Sequence, residues 1–133
     1  KQVRVNYEYY NARTDHTYGS SLGPAIQAVM ACRAGRIDDA REHFIRAASA
    51  DLLDVRGNAK DGIHAASAAG VWLAVVFGFA GLRVDAASTL TGADARAPGG
   101  PDWTVTPRLP EGWTRLAFKF MHRGRVQAVE IAR

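Results

Sequence analysis

Apolar residues run almost without interruption from Ile63 to Leu82, and no acidic residue, lysine or arginine falls between Asp61 and Arg83. A helix that is apolar on every side is a buried one, so this stretch predicts a buried third helix. Gly57-Asn58 supplies a turn before it and Asp61 is its predicted N-cap, which puts His64 in the first helical turn. Upstream, Leu22, Ile26, Val29 and Met30 recur at helical spacing between Ser21 and Gly35, with Pro24 tolerated in the first turn. A second helix is predicted from about Asp38 to Leu52 or Leu53, with Ala40, Phe44, Ala47 and Ala48 on its inner face. The short connection through Gly35 makes these two an antiparallel pair. The first twenty residues, polar and aromatic, predict a structured loop. Beyond Leu82 the chain turns rich in alanine, glycine and proline over 86–102, which predicts a boundary. Short strands follow at Trp103–Thr106, Leu116–Met121 and Val126–Ile131, the last two alternating as a half-buried hairpin about a turn at His122-Arg123-Gly124-Arg125. The predicted class is α+β, with helices over residues 1–85 and strands over 86–133.

Composition narrows this picture. A chain of 133 residues is long enough for one domain with a core. The net charge of +4 comes from arginines dispersed as Arg33, Arg36, Arg41, Arg46 and Arg56, not from a basic stripe interleaved with aromatics, so no nucleic-acid partner is expected. The run from Ile63 to Leu82 has the length of a membrane span. Its alanine and glycine content and His64 near one end favour a buried helix, and no membrane partner is expected. Cys32 is the single cysteine, which excludes an internal disulfide and a multi-cysteine metal site; it is expected as small buried packing. No metal and no cofactor are expected. The chain starts at Lys1 without a cationic-then-apolar leader, and the expected compartment is the cytoplasm.

Two helix starts carry candidate chemistry. A helix N-terminus holds roughly half a positive elementary charge and unpaired amides, and so suits an anion. Asp61-Gly62-Ile63-His64 opens the third helix, where a glycine, His64 and Ser67 make a candidate anion site, and Gly19-Ser20-Ser21-Leu22 opens the first. If these ends are neighbours, Ser20, Ser21, Gly62 and His64 surround one anion such as phosphate; as plain caps, the serines would do no more than bond their own backbone. Asp15 and His16 sit just upstream, placed to contact a polar ligand or to hold the loop. His43 and His122 are expected to be exposed and without a role.

These residues carry a resemblance. Asn6-Tyr7-Glu8-Tyr9-Tyr10, Arg13-Thr14, His16, Ser20-Ser21-Leu22, Asp51-Leu52, Asp54, Asn58, Asp61-Gly62-Ile63-His64, Gly70, Trp72 and Gly78-Phe79-Ala80-Gly81-Leu82 follow one another as in the C-terminal part of glycoside hydrolase family 65. Pro107-Arg108-Leu109-Pro110-Glu111-Gly112-Trp113, Leu116, Phe118 and Arg123-Gly124-Arg125 look like that family's closing β-domain. The resemblance spans nearly the whole chain. It implies the last helices of an (α/α)6 barrel followed by strands of a C-terminal β-sheet domain.

The family holds maltose, kojibiose, nigerose and trehalose phosphorylases, with some trehalose and kojibiose hydrolases. The resemblance therefore implies an inverting attack on an α-glucoside, with inorganic phosphate as co-substrate and β-glucose 1-phosphate as product. It implies phosphate-binding roles for His64, Ser20, Ser21 and Gly62, substrate contacts from His16, Asp15 and Asp61, and an α-linked glucose disaccharide as partner. The general acid of the family has no counterpart here, since Glu8, Glu42, Glu111 and Glu130 do not occupy its motif; it is expected upstream, in a longer enzyme. A homodimer of that enzyme is a further implication. One departure stands out. Many family phosphorylases read His-Asp-Ser-Ser-Leu-Ser where this chain reads His16-Thr17-Tyr18-Gly19-Ser20-Ser21-Leu22-Gly23, longer by two residues before the serines, which implies a reshaped loop. Hydrolysis is the alternative, with Asp15 or Asp61 as base; a helical-hairpin binding module over Ala31–Ala48 is a second alternative, and it lacks the further copies such modules need.

Overall fold

Gly35 is the pivot of the helical part. Its φ of +78° is left-handed, a conformation glycine takes without a Cβ penalty, and it ends one helix so that the next can turn back. A computed structural model describes residues 1–16, 19–84 and 102–133. Helix α1 spans Gln2–Asn11, α2 Gly23–Ala34 and α3 Ile37–Leu52. Helix α4 spans Ala65–Leu73 and continues as a π-helical segment over Ala74–Phe79. Four strands complete the described chain, with β1 at Arg83–Val84, β2 at Trp103–Thr104, β3 at Arg115–His122 and β4 at Arg125–Ala132.

The pairing is β1 with β2 and β3 with β4, both antiparallel. In the second pair His122 sits opposite Arg125, so Arg123 and Gly124 form a two-residue turn, both at positive φ as such tight hairpins require. Leu116, Phe118 and Phe120 alternate with exposed Ala117, Lys119 and Met121. The hairpin and the mixed helix-and-sheet class are therefore as expected. The strand at 103–106 is shorter than expected: Thr106 N–H bonds the Ala80 and Gly81 carbonyls and Arg108 N–H the Phe79 carbonyl, so this segment crosses the end of the π-helix instead of extending a sheet. The predicted boundary at 86–102 lies outside the described residues up to Asp102, and so do Thr17 and Tyr18.

Three expectations about helices are corrected. Residues 2–11 form α1 and no loop, because the helix is held from outside: buried Tyr7 packs in the core and its phenol donates to Asp39 Oδ2 at 3.1 Å, while Arg4 pairs with Glu8 one turn on. No apolar stripe announced it. The first long helix begins at Gly23, two residues later than expected, after a turn in which Ser20 Oγ accepts the Leu22 N–H. The third begins at Ala65 with His64 as its N-cap residue; Asp61 ends a separate 3-10 turn, Ala59–Asp61, and caps nothing in α4.

The apolar run is also two-faced. Ser67, Gly70, Ala74, Val76, Gly78 and Phe79 are buried, while Ile63, Ala65, Ala66, Ala69 and Trp72 are exposed. Small residues dominate the inner face because α2 passes close. A Cβ on Gly70 would fall 2.5 Å from Ala25 Cβ, and one on Gly78 would touch Cys32 Sγ and Val29 Cα at 3.4 Å. Buried Cys32 is as expected, and burial pushes its thiol up to about 12, which keeps it protonated and inert. Phe79, fully buried, lies 4.9 Å from the Trp113 ring and 5.5 Å from Phe44, which joins the hairpin half to the helices in one core with Leu109 and Leu116. Each such ring pair adds about 0.5–1.5 kcal/mol beyond area burial. Among the described residues no helix is long and apolar enough to cross a membrane.

Candidate functional site

The N-terminal ends of α2 and α4 meet one cavity. Its volume is about 110 Å³, and its polar walls are His16, Ser21, Arg46, Arg56, His64 and Ser67. Pro24, Ala47, Ala50 and Val55 form the apolar remainder. None of these lining residues is a carboxylate, and neither helix carries an acid in its own first turn; the carboxylate at the α4 end, Asp51 of α3, meets it from outside the cavity. Two guanidiniums and the Ser21 hydroxyl, with the His16 and His64 rings beside them, suit a small oxyanion in a space of that size.

His64 is held from behind. Asp51, on the last turn of α3, accepts the His64 backbone N–H on Oδ2 at 2.8 Å and contacts ring Nδ1 with Oδ1. Those bonds from His64 hold the Asp51 carboxyl below the usual carboxylate range, so it is ionised and can only accept. The ring proton therefore sits on Nδ1, and Nε2 is left to meet the Asn58 side-chain amide at 3.4 Å. Asp51 itself does not line the cavity. Ser67 is anchored as well, its hydroxyl donating to the Ala47 carbonyl at 3.1 Å and tying α4 to α3. Arg46 reaches Glu42 at 3.3 Å on the exposed side.

His16 belongs to a second small network. Its Nε2 donates to the Asn11 carbonyl at 3.1 Å, and His43 Nε2 donates to Asn11 Oδ1 at 3.0 Å, so one asparagine at the end of α1 sets the tautomer of both rings. The rings lie 4.6 Å apart, and both Nδ1 atoms are buried without a partner among the described residues. His43 is thus buried, at 5% exposure, where exposure was expected. Its position on α3 faces α1, a helix the sequence did not announce. His122 is half-buried as well, bonded through Nε2 to Asp102 Oδ1 at 2.6 Å. Burial raises the Asp102 carboxyl, but the His122 bond and the Arg123 charge outweigh it and leave it low.

His43 makes stability depend on pH. Burial, and then the neighbouring His16, lower its pKa from the ordinary 6.5, so the unfolded chain binds a proton more readily than the fold does. Stability is complete above the ordinary value and is lost as pH falls from there towards the depressed one. A His43→Gln variant is expected to show a flatter fall of Tm between about pH 7 and pH 5 than the wild type. Equal slopes would place the proton uptake elsewhere.

The cavity brings together three of the expected site residues, His16, Ser21 and His64. Ser20 is exposed and serves as a local cap; Gly62 and Asp61 are exposed and lie outside the lining; Asp15 is exposed and also outside it. Gly62 was placed at the anion because the helix was expected to begin there, and the true start three residues on moves it away. Ser67, placed with His64 at the start of the third helix, lines the cavity too; Arg46 and Arg56 were not assigned to the site. Arg46 lies off the predicted inner face of its helix and Arg56 in a connecting loop, so neither carried a signal in the sequence.

The family model for the glycosyl hydrolase family 65 central catalytic domain matches residues 1–73, and that for the family 65 C-terminal domain matches residues 102–133. The chain belongs to glycosyl hydrolase family 65. A kojibiose phosphorylase of Caldanaerobacter subterraneus subsp. tengcongensis is 41% identical over 98% of this chain, and an alpha,alpha-trehalose phosphorylase of Thermoanaerobacter brockii is 39% identical over 99%. A solved structure of a putative kojibiose phosphorylase from the human microbiome superposes with a TM-score of 0.78 at 30% identity, covering 99% of the chain. The chain spans 15% of the length of each of these proteins. The helical hairpin of α2 and α3 thus falls within the family 65 catalytic domain and is no repeat unit of a binding module.

Proposed function

We propose that this chain carries the phosphate seat of an inverting α-glucoside phosphorylase of family 65. The observation that carries the reading is the cavity where two helix ends converge, with His16, Ser21, Arg46, Arg56 and His64 around it and no carboxylate in its lining. The names of the relatives, kojibiose and trehalose phosphorylases, point the same way. Inorganic phosphate is held there by charge-assisted bonds and attacks the anomeric carbon of an α-linked glucose disaccharide. The bond to the glycosidic oxygen breaks as a glutamic acid, expected in a part of the enzyme outside this chain, gives that oxygen a proton. Attack from the opposite face inverts the centre and yields β-glucose 1-phosphate and a free sugar.

Within that reading, the helices up to Phe79 are the last helices of an (α/α)6 barrel and the strands from Trp103 on belong to the closing β-domain, in an enzyme of the cytoplasm that forms a homodimer. Hydrolysis needs a carboxylate placed to activate water, and Asp15 and Asp61 both lie outside the lining. The test is to incubate the full-length enzyme with kojibiose, trehalose and maltose, with and without phosphate. Glucose 1-phosphate formed only with phosphate is the expected result; free glucose released at the same rate without phosphate would overturn it.

A further inference from the structure

The strongest unassigned arrangement in the molecule is the double contact of Asp51 with His64. One carboxylate oxygen accepts the backbone N–H at 2.8 Å and the other contacts ring Nδ1, so a single side chain fixes both the start of α4 and the direction of the imidazole. The chain between them, 52–63, contains a 3-10 turn and several exposed apolar residues, Leu52, Leu53, Val55 and Ile63, and so has little packing of its own to hold the ring in place. Asp51 stands on α3, which is anchored in the core through Ala40 and Ala47. The ring is therefore referenced to the rigid helix and not to the loop that delivers it.

We infer that Asp51 is the positioning residue for His64: it holds the Nδ1 edge so that the Nε2 edge stays at the cavity to meet a tetrahedral oxyanion, and makes no contact with that oxyanion itself. This rests on the phosphate reading above. With Nδ1–H committed to Asp51, Nε2 exchanges its long 3.4 Å contact with the Asn58 amide for the oxyanion: it accepts from the P–O–H of hydrogen phosphate, or donates to a P–O⁻ when the ring carries a second proton, whose charge Asp51 then offsets. A partner on the far ring nitrogen is the common way a functional histidine is oriented, and loss of such a partner typically costs about 10- to 100-fold in affinity.

The experiment uses the full-length enzyme as wild type, Asp51→Asn and Asp51→Glu. Asparagine keeps the size and one acceptor and removes the charge; glutamate keeps the charge and shifts its position. Asp51→Asn is expected to raise the KM for phosphate about tenfold or more, with kcat and the disaccharide KM changed less than about threefold. Asp51→Glu is expected to recover part of the loss. A second readout needs no turnover: carbethoxylation of His64 by diethyl pyrocarbonate, read by mass spectrometry, with inorganic phosphate as the protecting probe. Protection of His64 in the wild type, and a requirement for about tenfold more phosphate in Asp51→Asn, supports the inference.

An unchanged phosphate KM and unchanged protection in Asp51→Asn would overturn it. So would a parallel rise of both KM values together with a lower Tm, which marks a purely structural residue. Failure of the phosphorylase reading is visible separately, as wild-type cleavage that ignores phosphate; the protection titration still decides the role of Asp51 in that case, and no protection of wild-type His64 would refute it.

Discussion

Replacing His64 by alanine in the full-length enzyme is expected to raise the KM for phosphate by about 10- to 150-fold. The figure follows from the loss of one charge-assisted hydrogen bond, about 1.5–3 kcal/mol, at tenfold per 1.4 kcal/mol. The fold should survive the change. Asp51 Oδ2 bonds the backbone N–H of residue 64, which alanine retains, so the start of α4 keeps its anchor. The ring is half-buried and belongs to neither core cluster. A Tm close to the wild type, with kinetics measured over a wide phosphate range, separates a lost ligand from a lost fold. A phosphate KM within about twofold of the wild type would remove His64 from the site, since even a weak neutral bond is worth more.

Gly81→Val is expected to be strongly destabilising, about 2–6 kcal/mol, from two effects that add. Gly81 has φ +64°, where a β-branched residue is strained by about 1–3 kcal/mol. Its Cβ would also lie 2.3 Å from the Thr106 carbonyl oxygen, a backbone atom with no rotamer to move. Relief means separating the 106–108 segment from the end of the π-helix, and with it the Thr106 and Arg108 bonds to residues 79–81. Overpacking of this kind typically adds about 1–3 kcal/mol. Gly112→Ala is the control, with φ +82° and open space around the new Cβ, and should lose only about 1 kcal/mol. Urea midpoints of the two variants in the full-length enzyme decide the matter; equal midpoints would show that the Thr106 contact yields freely.

The pattern of residues made the hairpin, the α2–α3 turn and the long small-residue run legible, because each depends on local chemistry. Arg123-Gly124 forces a tight turn, Gly35 stops a helix, and period-two alternation sets which face of β3 is buried. Helix α1 was not legible. Its ten residues carry tyrosines and polar groups without an apolar stripe, and its stability comes from Tyr7 reaching Asp39, thirty-two positions away. The misplaced start of α4 has a local cause: Asp61-Gly62 has the composition of a helix start, yet Gly62 takes φ +131°, outside any helix, and the chain needs two more residues before His64 can reach Asp51.

The site divides along the same line. His64 and Ser21 were readable as polar residues at helix starts, and their family context as an ordered series of short motifs along the chain. That His64 pairs with Asp51, that His43 is buried against His16, and that Arg46, Arg56 and Ser67 share the cavity were decided only by the tertiary structure. Sequence patterns report what a residue prefers within its own turn or strand, whereas a cavity between three elements depends on which faces meet, and that is set by packing summed over the whole core. The chain by itself thus determined most of its elements and the polar starts of two helices; the packing of α2, α3 and α4 decided that these ends meet at one cavity, and which side chains line it.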